Sequence, residues 1–436
     1  MRTALPAFLL SLAIVATHAV ADEPATVANG IYIAASGDQD SADEYTRYDL
    51  LAPGSGRFRI RYEVTAITPG AQYFYNPIRK GSAASDESVL DAATGKALPF
   101  EVVSGAVARK DALMPDADPD TDYIRVTLPR PVPASGQARL VILKTYEDSK
   151  SYFLDGKTLV FDRPLGVKRN KVVLPAGYQV TSLSVPSQIR TEDDGRIAIS
   201  FMHAGVGTAP LVLRAMQGAQ TGKAALPRPA TGLRSWESPF EGDTEEERLA
   251  ERAHQDRSIV YFLQPPETHA FALFHDYTET RPGVNGYANV VRKGSVVSNP
   301  SAVDLDSGER LAVKEMSGAE MTEAKIDAGA PVDPAAKVVV ISFEPVQAGR
   351  TRRLRITETY TAPTSYRLYG DDLVFDRSLG RPRNAIVLPS GWYVTFSGAP
   401  ATASQLPDGR VRLDYWNDRP QALDVLLKAR RRAGGT

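Results

Sequence analysis

Val160-Phe-Asp-Arg-Pro-Leu-Gly-Val-Lys-Arg-Asn-Lys-Val-Val-Leu-Pro-Ala-Gly-Tyr178 returns later in the chain as Val374-Phe-Asp-Arg-Ser-Leu-Gly-Arg-Pro-Arg-Asn-Ala-Ile-Val-Leu-Pro-Ser-Gly-Trp392. Across 146–180 against 360–394, a constant offset of 214 gives 19 identities in 35 positions without a gap. Chance at ordinary amino-acid usage gives about two. Upstream, 62–105 matches 275–318 at an offset of 213, placing Arg79-Lys-Gly-Ser82 against Arg292-Lys-Gly-Ser295. Matching offsets on both sides of a less similar middle mean that one whole unit of about 200 residues was duplicated, too long for a solenoid turn of about 20–50 residues.

Inside the unit the pattern is that of strands. Phe58-Arg-Ile-Arg-Tyr-Glu-Val64 alternates apolar and polar residues, the period-two signature of a half-buried strand. Similar runs follow at 88–91, 99–103, 123–128 and 138–145, then at 158–162, 170–174, 178–185, 196–201 and 211–215, separated by Gly, Pro and Asp clusters. The sequence therefore predicts an all-β fold of two tandem homologous antiparallel β-sandwich units, each with a second strand set, at 28–217 and 258–432. A linker over 218–257 joins them. Its 224–232 part is Pro-rich, and a short helix is expected at about 244–256, with Asp243 as cap and Glu246 in capping-box spacing.

The first 21 residues read as a secretory signal, with Arg2, a short apolar run at 7–15 and Ala19-Val20-Ala21 as a small-x-small cleavage site. Export is expected, to the periplasm or beyond, with cleavage near Ala21. The run is shorter than the about 20 apolar residues that span a bilayer, so no transmembrane segment is expected. The chain has no cysteine, which removes disulfides, thiolate metal sites and cysteine nucleophiles. Its formal net charge of −1, or −2 once Arg2 is removed, gives no basic field for nucleic acid.

No catalytic motif is present. The sequence lacks Gly-x-Ser-x-Gly, a phosphate-binding Gly-rich loop and His-Glu-x-x-His. The most specific polar constellation is the repeated pair Asp162-Arg163 and Asp376-Arg377, with Arg169-Asn170 and Arg383-Asn384. Structurally, Asp and Arg would pair to pin the hairpin while Asn bonds the turn backbone. Functionally, Arg169 and Arg383 would clamp a carboxylate or sugar acid. Tyr73 and Tyr75 share a strand face where the second copy has Gly286 and Ala288, and Trp416 is placed opposite Leu413 and Tyr415. All three could serve an aromatic glycan platform, against packing as the plainer use. Asp116, Asp118, Asp120 and Asp122 alternate through a loop and suit a hard cation such as calcium, although the EF-hand glycine and glutamate are missing. No other cofactor is expected.

The run Val172-Val-Leu-Pro-Ala-Gly-Tyr-Gln-Val180, followed by Pro186 and Asp194-Gly195-Arg196, resembles part of the β-rich amino-terminal domain of gluzincin aminopeptidases. It is more faintly similar to the luminal β-domains of ribophorin I. The two copies also look like a family of secreted bacterial proteins with duplicated β-sandwich units. The resemblance implies a sandwich with an added strand set. It carries over no catalytic residue, because the metallopeptidase domain and its zinc motif are missing from this sequence. The expectation is a non-catalytic, exported binding or scaffolding protein that recognises protein or glycan of the cell envelope. A carboxylate-dependent hydrolase of an envelope polymer is the alternative.

Overall fold

Strand β1 (Ser41–Leu50) and strand β2 (Arg57–Ala66) pair antiparallel, and their inward row of Tyr48, Leu50, Phe58, Ile60, Tyr62 and Val64 is buried. The alternation read at 58–64 thus sets which side faces the core. The computed structural model describes residues 38–205, 207–218, 250–326, 328 and 331–431, with the backbone alone of 27–28 and 31–32. The signal expected at 1–21 and most of the linker lie outside the described residues.

The first unit continues through β3 (Tyr73–Pro77), β4 (Ala83–Asp91), β5 (Phe100–Ser104), β6 (Asp122–Thr127), β7 (Ala138–Glu147), β8 (Tyr152–Asp155) and β9 (Thr158–Leu165). It ends with β10 (Arg169–Val173), β11 (Tyr178–Leu183), β12 (Gln188–Thr191), β13 (Ile197–Met202) and β14 (Ala209–Gln217). The second unit repeats these strand for strand. It opens with β15 (Ser258–Leu263), β16 (Ala270–Glu279), β17 (Gly286–Val290), β18 (Val296–Asp304), β19 (Glu309–Ser317), β20 (Lys337–Ser342) and β21 (Arg352–Thr361). The rest are β22 (Tyr366–Tyr369), β23 (Asp372–Leu379), β24 (Arg383–Val387), β25 (Trp392–Ser397), β26 (Thr402–Gln405), β27 (Val411–Trp416) and β28 (Leu423–Arg431).

In the first unit a seven-stranded sheet runs β12-β13-β10-β1-β2-β7-β4, with a three-stranded sheet β3-β6-β5 and a four-stranded sheet β8-β9-β14-β11. The second unit keeps that order, but its counterparts of the first two sheets merge into one of ten strands. The cause is local. Strand β19 starts early enough to pair Ala302 with Leu311 and Val303 with Arg310, where the first unit has only the bridge Leu90–Ala97. One pair in each unit departs from the expected antiparallel arrangement: β10 lies parallel to β1, and β24 parallel to β15. Among the described residues the helices are short, Gly105–Ala108 and Gly318–Glu323. No helix there is long and apolar enough to cross a membrane.

The repeated block packs where its pattern places it. Phe161 is fully buried, 5.4 Å edge-on from Phe58 and 5.7 Å from Tyr48. Phe375 repeats the cluster at 5.6 Å from Phe271 and 5.8 Å from Tyr261. Asn170 and Asn384 donate to the turn carbonyls of Val167 and Arg381 at 2.6 and 2.7 Å, as read from the sequence. The Asp162–Arg163 pair does not form. Asp162 is exposed, and Arg163 reaches back to Asp148 at 2.7 Å, because adjacent strand residues point to opposite faces.

The helix expected at about 244–256 does not run through its described end. Residues 250–256 form a bend and a turn, and 244–249 lie outside the described residues. Instead of accepting from amides further along a helix, the carbonyls of Ala253 and Gln255 accept from Arg169 Nη1 at 3.1 and 3.2 Å.

Candidate functional site

The two units meet through buried arginines. Asp43 sits at a bulge in β1 with a positive φ of 54°, a conformation that Asp tolerates better than most residues. Its carboxylate pairs with Arg353 Nη2 at 2.6 Å and Arg383 Nη1 at 2.5 Å, both from the second unit. Its carbonyl accepts from Arg169 Nη2 at 2.6 Å. Asp256 is the residue equivalent to Asp43, at the offset of 213. Its carboxylate pairs with Arg353 Nη1 at 2.7 Å, and its carbonyl accepts from Arg383 Nη2 at 2.8 Å.

Arg353, 1% exposed, therefore bridges equivalent acids from both copies. Three guanidinium groups against two carboxylates would be costly to bury; main-chain carbonyls take up several of the surplus donors, though the Nε of Arg353 and of Arg383 has no hydrogen-bond partner among the described residues. The electrostatics follow. Burial would raise the Asp43 pKa, but Arg383, Arg353 and Arg169 hold it far below the usual carboxylate range. Arg169, which contacts carbonyls instead of a carboxylate, is lowered to about 10, first by burial and then by Arg383.

Around this centre the contacts are reciprocal, as in an isologous dimer interface. The Gln137 amide donates to the Leu305 carbonyl at 2.8 Å. The amide of Thr351, equivalent to Gln137, donates to the Ala93 carbonyl at 3.0 Å, one residue from the equivalent of Leu305. Arg139 holds Asp306 through two bonds of 2.7 Å and also donates to Thr351 Oγ1 at 2.9 Å.

Two hollows open beside these contacts, sharing Asp91, Arg139 and Thr351 in their walls. One of about 510 Å³ is lined by Arg61, Glu63 and His254 together with the junction residues Asp43, Asp256 and Arg353. The other, of about 690 Å³, carries Arg130, Asp306, Glu344, Arg350 and Arg352. Both lie in the size range of small-molecule sites, and their walls mix apolar surface with these charged groups.

The carboxyls with displaced pKa in this cleft move down. Burial opposes ionisation of Glu63, yet bonds from His254 (3.2 Å) and Arg61 (2.7 Å) bring its pKa to about 2. For Asp256 too, burial pushes the pKa up, but Arg353, the Thr278 hydroxyl and Arg383 together bring it below the usual carboxylate value. Groups depressed in the fold stabilise above their unfolded pKa and lose that contribution as pH falls through the folded value. These acids are therefore expected to make the melting temperature fall as the medium is acidified from about 4.5 toward 2. Thermal melts followed by circular dichroism across that window check this; a curve that stays level down to pH 2 would contradict it.

The residues singled out in the sequence do not form one site. Arg169 and Arg383 do converge, but the acid they hold is the chain's own Asp43 and its neighbouring carbonyls. Tyr75 is 1% exposed, and its hydroxyl donates to Asp111 at 2.8 Å. With Tyr73 half-buried beside it, this face packs on Val103, Ala108 and Tyr123, so it is no platform. The second copy offsets Gly286 and Ala288 by filling that space with Met316 and Met321. Both copies therefore fill this space with bulky side chains. Trp416 is half-buried and paired in register with Arg383.

Asp116, Asp118, Asp120 and Asp122 are exposed, with Asp118 tied to Lys80 at 2.7 Å and to the Asp120 amide at 3.0 Å. Among the described residues no group of three or more His, Asp or Glu side chains is placed to hold a metal ion.

Sequence reasoning missed Asp43, Asp256 and Arg353. The signal available was faint: Asp43 and Asp256 fall at equivalent positions of the repeat, as do Arg139 and Arg353.

No protein-family model matches the chain, and no curated protein is significantly similar to it. Among solved structures, an M1 zinc metallopeptidase from Deinococcus radiodurans is similar over 41% of this chain and 42% of its own, at 14% identity and a TM-score of 0.29. An aminopeptidase N family protein from Idiomarina loihiensis covers 39% of this chain and 29% of its own, at 11% identity and a TM-score of 0.25. A Legionella pneumophila protein described as nutrient-binding covers 42% and 68%, at 9% identity and a TM-score of 0.25. This chain thus spans less than half the length of the metallopeptidase. Similarity this low carries over no activity and no residue.

Proposed function

We propose that the chain is a non-catalytic binding or scaffolding protein, exported to the cell envelope, and that the charged cleft between its two units recognises protein or glycan there. The observation that supports this is the state of the cleft's acids. Asp43, Glu63 and Asp256 are all held ionised by cations around them. A glycosidase instead needs one carboxyl kept protonated by a raised pKa, opposite a second about 5–10 Å away. The arginine-rich walls suit a polar or acidic polymer, since guanidinium forks match carboxylate geometry.

The test uses the chain from residue 22 onward on a glycan array and on immobilised envelope polymer, with product release measured in parallel. Saturable binding without released fragments, weakened by Arg61→Glu in the cleft wall, is the expected result. Cleavage of an envelope polysaccharide that is abolished by an Asp or Glu substitution would overturn the reading in favour of a hydrolase.

A further inference from the structure

Strand β7 carries a lysine in its apolar row. Leu140, Ile142, Lys144 and Tyr146 alternate toward the core, and Lys144 is 6% exposed. An ammonium has three donors. Among the described residues, that of Lys144 has one hydrogen-bonded partner, Asn76 Oδ1 at 2.6 Å from the facing sheet, and no carboxylate pairs with it. It lies 4.9 Å from the centre of the Tyr146 ring. Arg163 stacks over the same ring at 5.5 Å. These groups, with Tyr48, Tyr62 and Glu44, line a hollow of about 370 Å³ inside the first unit, apart from the junction.

The second unit serves as an internal control. At the same place in β21 stands Glu358, 1% exposed, which accepts from Nδ2 of Asn289, the equivalent of Asn76, at 2.7 Å. An asparagine amide can present either its oxygen or its NH₂, so one framework holds a lysine in one copy and, in the other, a glutamic acid whose pKa burial raises. Glu44 is likewise replaced by Arg257. Both units bury this position beside an equivalent asparagine, so burial there does not by itself set which ionisable group stands in it. An ionisable group whose identity burial leaves open, and whose charge costs free energy to bury, calls for a ligand.

We propose that the hollow lined by Asn76, Lys144, Tyr146 and Arg163 binds an organic carboxylate, whose oxygens take the free donors of Lys144 while the rings of Tyr48 and Tyr62 cover its carbon skeleton. The reading goes beyond the cleft between the units and does not depend on it. The amine fits the role: burial, and then the like charge of Arg163, lower its pKa to about 8, and a seated anion would favour the charged form.

The experiment titrates the full chain with sodium glucuronate, sodium phenylacetate, neutral glucose and inorganic phosphate, followed by calorimetry and by ¹³C-edited spectra of the lysine side chains. One of the two carboxylates is expected to bind saturably and to shift the Lys144 signal, with glucose and phosphate at least tenfold weaker. Lys144→Met should weaken that binding at least tenfold, whereas Glu358→Gln and the cleft variant Arg61→Glu leave it unchanged. Methionine keeps the apolar stem, so melting of Lys144→Met should show a folded protein; if it does not, Lys144→Gln carries the same test. Failure of both carboxylates to bind, preference for phosphate, or unchanged affinity in the folded variant would each mean that Lys144 only ties two sheets together, and would overturn the proposal.

Discussion

Replacing Arg353 by methionine is expected to cost about 3–5 kcal/mol, the usual loss when one partner of a buried ion network is removed. The side chain is 1% exposed and serves Asp43 and Asp256 at 2.6 and 2.7 Å. Without it, the Asp43 carboxylate keeps Arg383, while the partly exposed Asp256 carboxylate loses its guanidinium and is left with the Thr278 hydroxyl. At the usual slope of about 2–4 °C per kcal/mol for domains of this size, the loss corresponds to a fall of roughly 6–20 °C in melting temperature. Exposed pairs such as Arg430–Asp372 provide the contrast, since surface pairs contribute about 0–1 kcal/mol. A melting temperature within about 2 °C of the parent chain would show that solvent or neighbouring groups replace the arginine.

The second large effect belongs to the repeated block. Phe161→Ala is expected to cost about 3–5 kcal/mol, as for other large-to-small aromatic changes in a close-packed core. The ring is fully buried between Phe58 and Tyr48, and its loss leaves a hole that strands on both sides cannot easily close. Phe375→Ala should cost about the same, because Phe271 and Tyr261 reproduce the surroundings. The urea midpoint reads both; an unchanged midpoint for either would contradict the packing described.

What the sequence revealed follows from the range of each interaction. Strand periodicity and the turn asparagines act within a few residues, and both were legible from the repeat. So was the inward face of Phe161, since one register decides a whole strand. Asp162 was misassigned a partner because Arg163 is its neighbour in sequence, whereas strand geometry sends Arg163 to Asp148 on the other face. The packing role of Tyr73 and Tyr75 was not legible from the repeat, because their replacement in the second copy comes from Met316 and Met321, on other elements.

The junction lay beyond local pattern altogether. Asp43 and Arg353 are 310 residues apart, and nothing near either one announces the other. Lys144 could have been found, because a lysine following Leu140 and Ile142 in the inward row breaks the apolar period that the rest of the strand obeys.

The direct test of the coupling between the copies is differential scanning calorimetry of the parent chain and of Arg353→Met. The junction places buried Arg353 with Arg383, Asp43 and the partly exposed Asp256 in one network spanning both units. The parent chain should therefore unfold in a single cooperative transition, and the variant in two, separated at lower temperature. Two transitions in the parent chain, neither moved by Arg353→Met, would mean that the units fold and melt independently and that the arginine junction does not join them.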